Sequence, residues 1–206
     1  DDKQGMGYNL NTIGIVYAYK DDHEKAIDYH ERSLKIDEEL GDKRGMGWSL
    51  NNIGDVYKNQ GKYEKAMDYY ERSLAIQEEL GNKSWIGSSL NNIGIVHHDE
   101  GDLDTALDYL SRALAICEEL GDKRGMGYSL NNIGIVYSKK GDYKKALEYL
   151  EKSLSIQKEF GYKGLELLTT THFYFTYKYL GKEYDVNEIH TLIKEDENIE
   201  YELNLQ

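Results

Sequence analysis

Within residues 41–80, Leu50, Ile53, Gly54 and Tyr57 fall at i, i+3, i+4 and i+7, one stripe of an amphipathic helix. Asp42 stands where that helix wants an N-cap, and Gly61 stands where a left-handed residue ends it. A second helix carries Tyr63, Ala66, Met67, Tyr70 and Leu74 on one side and Glu and Lys on the other, and Gly81 closes it. The pattern recurs every 40 residues: Gly14, Gly54, Gly94 and Gly134 keep the interval, as do Ala26, Ala66, Ala106 and Ala146, and 41–80 matches 121–160 at 26 of 40 positions. A fixed period in this range marks a solenoid, in which each repeat buries its apolar face against its neighbours. The expected fold is therefore all-α, an α-solenoid of antiparallel helix pairs at 2–40, 41–80, 81–120 and 121–160. The turns within the pairs fall near Asp21, Gly61, Gly101 and Gly141.

Gly54 and Ala66 share one explanation. A Gly inside a helix costs roughly 1 kcal/mol relative to Ala, so keeping it in four repeats implies a close helix contact that returns more. The repeat also overrides the prior from length: 206 residues would suit one or two globular domains, but a solenoid is one array. We read residues 1–195 as that array, with 161–195 a degenerate fifth repeat in which Tyr174 replaces the small Gly and Val186 the small Ala. Those bulky residues are expected to loosen or redirect the fifth helix pair. The acidic tail 196–206 is a truncated helix or disordered. Asp1 begins in mid-repeat, so the chain reads as excised from something longer.

Charge and composition narrow the function. The net charge is −13 and no basic stripe is visible, which argues against nucleic acid and anionic membrane surfaces. No apolar run reaches membrane-spanning length. The single cysteine, Cys117, excludes an intrachain disulfide. It shares a column with Asp37, Gln77 and Gln157, and that column reads as solvent-facing.

The pattern resembles the tetratricopeptide repeat. The matching residues are Leu50, Ile53-Gly54, Tyr57, Gly61, Tyr63, Ala66 and Tyr70 and their equivalents 40 residues on. The usual unit of that family is shorter and ends in a proline, whereas this chain has none. The longer unit is similar to a subgroup that includes kinesin light chains, spindle-orientation adaptors and the arrays of bacterial sensor proteins. The resemblance implies a right-handed superhelix whose first helices line a concave groove. It also implies two functions: a protein-interaction scaffold that binds an extended or helical peptide, or a ligand-sensing regulatory segment of a larger bacterial signalling protein.

Helical geometry says which side chains face that groove. Opposite the apolar stripe, four columns line up across the repeats: Tyr8, Trp48, Ser88 and Tyr128; Thr12, Asn52, Asn92 and Asn132; Ile15, Asp55, Ile95, Ile135 and Phe175; and Tyr19, Asn59, Asp99, Lys139 and Tyr179. A solvated face should be rich in Lys and Glu, but this one is aromatic, Asn and Ile, a composition that recognition surfaces favour. The peptide-binding candidates are Tyr8, Thr12, Ile15, Trp48, Asn52, Asp55, Asn92, Ile95, Asp99, Tyr128, Asn132 and Ile135. Relatives use the matching second Asn to hold a peptide backbone, which maps to Asn52, Asn92 and Asn132. A primary amide both donates and accepts, so these three form a ladder along a peptide, or they bond neighbouring helices. Asp55 and Asp99 favour a basic partner.

Enzymatic chemistry finds no support. His97 and His98 are adjacent and diverge by about 100°, and no His shows the i, i+4 pairing of a zinc site. His97 reads as a core substitute for Tyr17, Tyr57 and Tyr137. No cofactor is implied. The first helix exposes Tyr8, Ile13 and Tyr17 unless something covers them, so weak end-to-end self-association is expected.

Overall fold

Most helix ends fall on an aspartate cap or a left-handed glycine. The computed structural model describes residues 2–181, and among these it holds nine α-helices and no strand. The first four pairs are α1 (Lys3–Tyr19) with α2 (His23–Leu40), α3 (Lys43–Asn59) with α4 (Tyr63–Leu80), α5 (Lys83–Glu100) with α6 (Leu103–Leu120), and α7 (Lys123–Lys139) with α8 (Tyr143–Phe160). The last described helix is α9 (Lys163–Tyr179). The carboxylates of Asp2, Asp42 and Asp122 cap first helices by accepting from backbone N–H groups, and those of Asp22, Asp102 and Asp142 cap second helices. Each such cap is worth about 1 kcal/mol. Left-handed Gly41, Gly81, Gly121 and Gly161 end the pairs.

The helices cluster into two compact units, Asp1–Glu100 and Gly101–Gln206. In the first, Leu34, Leu50 and Ile53 form a core against Met46, Tyr57, Tyr69 and Ile76. In the second, Ala106, Leu110, Ile133 and Val136 form one cluster, and Leu147, Leu150 and Phe173 another. The helix glycines serve close packing, as their spacing predicts, but the neighbour they admit is a bulky one. A Cβ on Gly54 would come within 2.7 Å of the Tyr70 ring, one on Gly14 within 2.6 Å of the His30 ring, and one on Gly134 within 2.7 Å of Leu150.

A second close approach corrects the sequence reading of the Cys117 column. Asp37, Gln77, Cys117 and Gln157 are not solvent-facing: they are only 4%, 1%, 8% and 0% exposed. The glycines at the start of the first helices let those helices lie directly on this column. A Cβ on Gly45 would fall 2.5 Å from the Asp37 carboxyl carbon, and one on Gly125 2.6 Å from Cys117 Sγ. Serines one turn earlier lock the approach. The hydroxyls of Ser33, Ser73 and Ser153 donate to the carbonyl oxygens of Gly7, Gly47 and Gly127 at 2.8, 2.9 and 2.7 Å. A polar column looks solvated in a sequence, and the signal of its burial is the missing side chains opposite it.

In the fifth repeat, Phe173 of α9 packs on Leu147 and Leu150, with Tyr177 and Leu180 beside them, and Tyr174 is half-buried. The expected second helix of that repeat, Val186 and the tail 196–206 lie outside the described residues.

Candidate functional site

In the Asp1–Glu100 unit, α1, α3 and α5 present the predicted row. Tyr8 is exposed, and its ring lies 5.3 Å from that of half-buried Trp48, tilted by 40°. Thr12 is exposed, but its hydroxyl donates back to the Tyr8 carbonyl at 3.0 Å. Ile15 and Ile95 are half-buried, and Asp99 is exposed beside His98 Nδ1 at 2.9 Å.

The asparagines divide into two rows that bond one another. Asn11 is buried and donates through Nδ2 to Ser49 Oγ at 2.7 Å. Its Oδ1 therefore accepts, from His30 Nδ1–H at 2.5 Å and from Asn52 Nδ2 at 3.3 Å. Burial pushes the His30 pKa from 6.5 down to about 4, so the ring is neutral. One repeat on, Asn92 Nδ2 donates to Asn51 Oδ1 at 3.2 Å and to Asp55 Oδ1 at 3.4 Å. The Asn52 and Asn92 nitrogens are thus engaged internally, while no hydrogen bond reaches their Oδ1 atoms within the described residues.

Asp55 is the hub of that network. It accepts from the Tyr70 hydroxyl at 2.6 Å and from Asn51 Nδ2 at 3.3 Å, with Lys58 Nζ at 4.0 Å. Loss of hydration raises its pKa against the pull of Lys58 and the Tyr70 hydroxyl, and burial together with the Asp55 charge raises that of Tyr70. The carboxylate expected to select a basic ligand residue therefore has much of its bonding capacity turned inward.

In the Gly101–Gln206 unit, Tyr128 is 39% exposed with the Arg124 guanidinium 5.9 Å from its ring centroid. Asn132 is half-buried and its Oδ1 accepts from Asn131 Nδ2 at 3.4 Å, while Asn131 Oδ1 faces His172 Nδ1 at 3.2 Å. Ile135 lines a hollow with Phe175 and Tyr179, which extend its column and the neighbouring one.

Sequence reasoning missed a cleft on this face. Tyr8 and Trp48 line a cleft of about 290 Å³ in the first unit together with Asp37, Arg44, Gln77 and Trp85. Asp37 and Gln77 come from second helices, in the column that the sequence places in solvent and the fold buries. His97 is half-buried, 4.0 Å from Glu100. Among the described residues, no group of three or more His, Cys, Asp and Glu side chains could hold a metal, and no helix is long and apolar enough to cross a membrane.

Repeated antiparallel helix pairs that hold an accessible aromatic and amide row define an α-helical repeat protein of the interaction-scaffold class. The chain belongs to the tetratricopeptide repeat family, whose model matches residues 6–79 and 85–159. No curated protein matches the sequence. Among solved structures, BtubC (BKLC) from P. vanneervenii superposes with a TM-score of 0.76 at 19% identity, covering 98% of this chain and 84% of that one. A putative kinesin light chain of Podosopora anserina with nearly identical TPR-like repeats gives 0.68 at 16% identity, covering 97% and 96%. A Rap protein complexed with Competence and Sporulation Factor gives 0.84 at 19% identity, covering all of this chain and 56% of that one. At these identities the likeness is one of fold, the all-α tetratricopeptide solenoid, and the family places the chain among protein–protein interaction scaffolds.

Proposed function

We propose that this scaffold binds an extended peptide along the exposed side of its first helices, with α1, α3 and α5 supplying the best-formed stretch. The observation that carries the reading is the fixed posture of the Asn52 and Asn92 amides. Each nitrogen is held by the preceding Asn row, and each Oδ1 is left to accept a backbone N–H from a ligand. Orienting such an amide in advance removes rotamer entropy that binding would otherwise cost. Tyr8, Trp48 and Ile95 hold ligand side chains beside them, and Tyr128, Asn132 and Ile135 repeat the row in the second unit. The likeness in fold to a Rap protein complexed with Competence and Sporulation Factor supports a ligand-responsive version of the same role. The acidic balance of the chain favours a basic partner.

The test is titration of a peptide selected on the wild-type protein against the Asn52→Ala/Asn92→Ala double variant. One hydrogen bond is worth about 0.5–1.5 kcal/mol net, so the pair should cost roughly tenfold in affinity. Equal affinity removes the amides from recognition. Loss of circular dichroism in the variant assigns them to the internal network instead.

Self-association is a second consequence of the surface. Met6, Ile13 and Val16 of α1 are 50%, 40% and 46% exposed. A chain of these 206 residues should show concentration-dependent light scattering that Ile13→Lys abolishes; a strict monomer at high concentration refutes it.

A further inference from the structure

Near-identical repeats copy whatever the fold requires, so departures from the repeat that converge in space point to another demand. Three of them meet in the cleft of the Asp1–Glu100 unit. Trp48 stands where the other repeats carry Tyr8, Ser88 and Tyr128. Trp85 stands where they carry Gly5, Gly45 and Gly125. Asp37 stands where they carry Gln77, Cys117 and Gln157. Both tryptophans of the chain thus line one cleft, and so does the single carboxylate of that column.

The floor of the cleft lacks a positive charge. Asp37 is 4% exposed, and its Oδ2 accepts one long hydrogen bond, from the Ser49 hydroxyl at 3.3 Å, while Ser33 Oγ, whose proton goes to the Gly7 carbonyl, lies 3.5 Å away. No basic side chain of the described residues pairs with it. Burial, aided by the nearby Asp42, raises its pKa. Arg44 also lines the cleft but is exposed and does not reach the carboxylate. Beside Asp37, Gln77 is 1% exposed and its Oε1 accepts no hydrogen bond. Asp42 adds little acceptor capacity, since its carboxylate already caps α3 and receives Gln4 Nε2 at 3.1 Å. A buried carboxylate without a cation destabilises a fold, and a neutral Gln in the same place, as in two sister repeats, does so less. The walls are aromatic: Tyr8 and Trp48 at 5.3 Å, with Trp85.

We infer that this cleft seats the cationic side chain of a lysine or arginine in the peptide partner. The alkyl stem lies against Tyr8, Trp48 and Trp85, and the N–H groups donate to the Asp37 carboxylate and Gln77 Oε1. Aromatic rings attract such a cation through their faces, and the stem covers apolar surface on the way in. The inference rests on the peptide-binding reading above and adds the chemistry of one ligand position.

The test uses blocked five-residue peptides, alanine on either side of a central lysine, arginine, norleucine or citrulline. Tryptophan fluorescence reports directly, because both tryptophans line the cleft. The lysine or arginine peptide should give saturable quenching at concentrations at least tenfold below those needed for norleucine and citrulline. Asp37→Gln, which installs the residue of two sister repeats, should abolish that preference and raise the thermal midpoint; a purely structural role for Asp37 would lower it. Equal binding of the lysine and norleucine peptides overturns the cation pocket while leaving peptide binding intact. No quenching by any of the four overturns the pocket too, and the asparagine variants then decide the wider reading separately. Spermidine quenching as strongly as the lysine peptide would reassign the pocket to free polyamines and overturn the peptide occupant.

Discussion

His30 shows how far one residue can depart from its sister repeats and what that costs. Its column reads His30, Tyr70, Leu110, Leu150, and each fills space left by a helix glycine or packs in the core. Because His30 is neutral in the fold, its contribution is intact above pH 6.5. As pH falls from 6.5 towards about 4, the unfolded chain takes up a proton that the folded chain refuses, and stability is lost. Asp37 and Asp55, whose pKa values are raised, work in the opposite sense: their penalty is present at neutral pH and is relieved on acidification. The clean measurement is therefore the stability difference between wild type and His30→Leu across that window. The wild type should lose ground by at most about 3 kcal/mol, and a flat difference would refute the account. Gly54→Ala tests the packing half of the same arrangement. Its Cβ meets one edge of a ring that Asp55 holds in place, so overpacking of about 1–3 kcal/mol should outweigh the helix-propensity gain and lower the denaturant midpoint.

At the scale of elements, the array is built from two kinds of punctuation, aspartate caps and left-handed glycines. Lys62 and Tyr162 stand at the starts of α4 and α9 without a side-chain cap, and in the turn between α1 and α2 Asp21 sits at φ 61, the one non-glycine residue with positive φ among the described residues. A side chain there is strained because its Cβ crowds the carbonyl. Its contact with His23 Nε2 at 2.9 Å is a partial offset, since Asp21 itself is 91% exposed in that pair. Asp21→Gly should raise stability by about 0.5–1 kcal/mol, read as a higher thermal midpoint; a drop would show that the pair with His23 outweighs the strain.

For the whole molecule, the net charge of −13 sets how partners arrive. A basic peptide should associate faster at low ionic strength, and the rate should fall as the screening length shrinks from roughly 30 Å at 0.01 M to about 8 Å at 0.15 M. Contacts made inside the cleft are shielded from salt, so dissociation should change much less. Stopped-flow mixing at several salt concentrations separates the two, and a salt-independent on-rate would show that the field of the chain does no steering.

The sequence by itself determined the repeat, the all-helical fold of residues 2–160, the Asp42 cap and the glycine turns between the helices. These depend on local chemistry, and four copies average out its noise. Spacing alone also groups the first-helix residues opposite the apolar stripe, because a straight helix fixes direction, and many of them are half-buried in the fold. The tertiary structure decided what those residues do. Asp55 spends its bonds on Tyr70 and the asparagines, and the Asn52 and Asn92 nitrogens are held internally, because those partners come from other helices. The Asp37–Gln77 column reads as solvent-facing and is buried for the same reason: its burial depends on glycines eight residues or more away in another helix, and hydrophobic periodicity carries no record of a side chain that is absent.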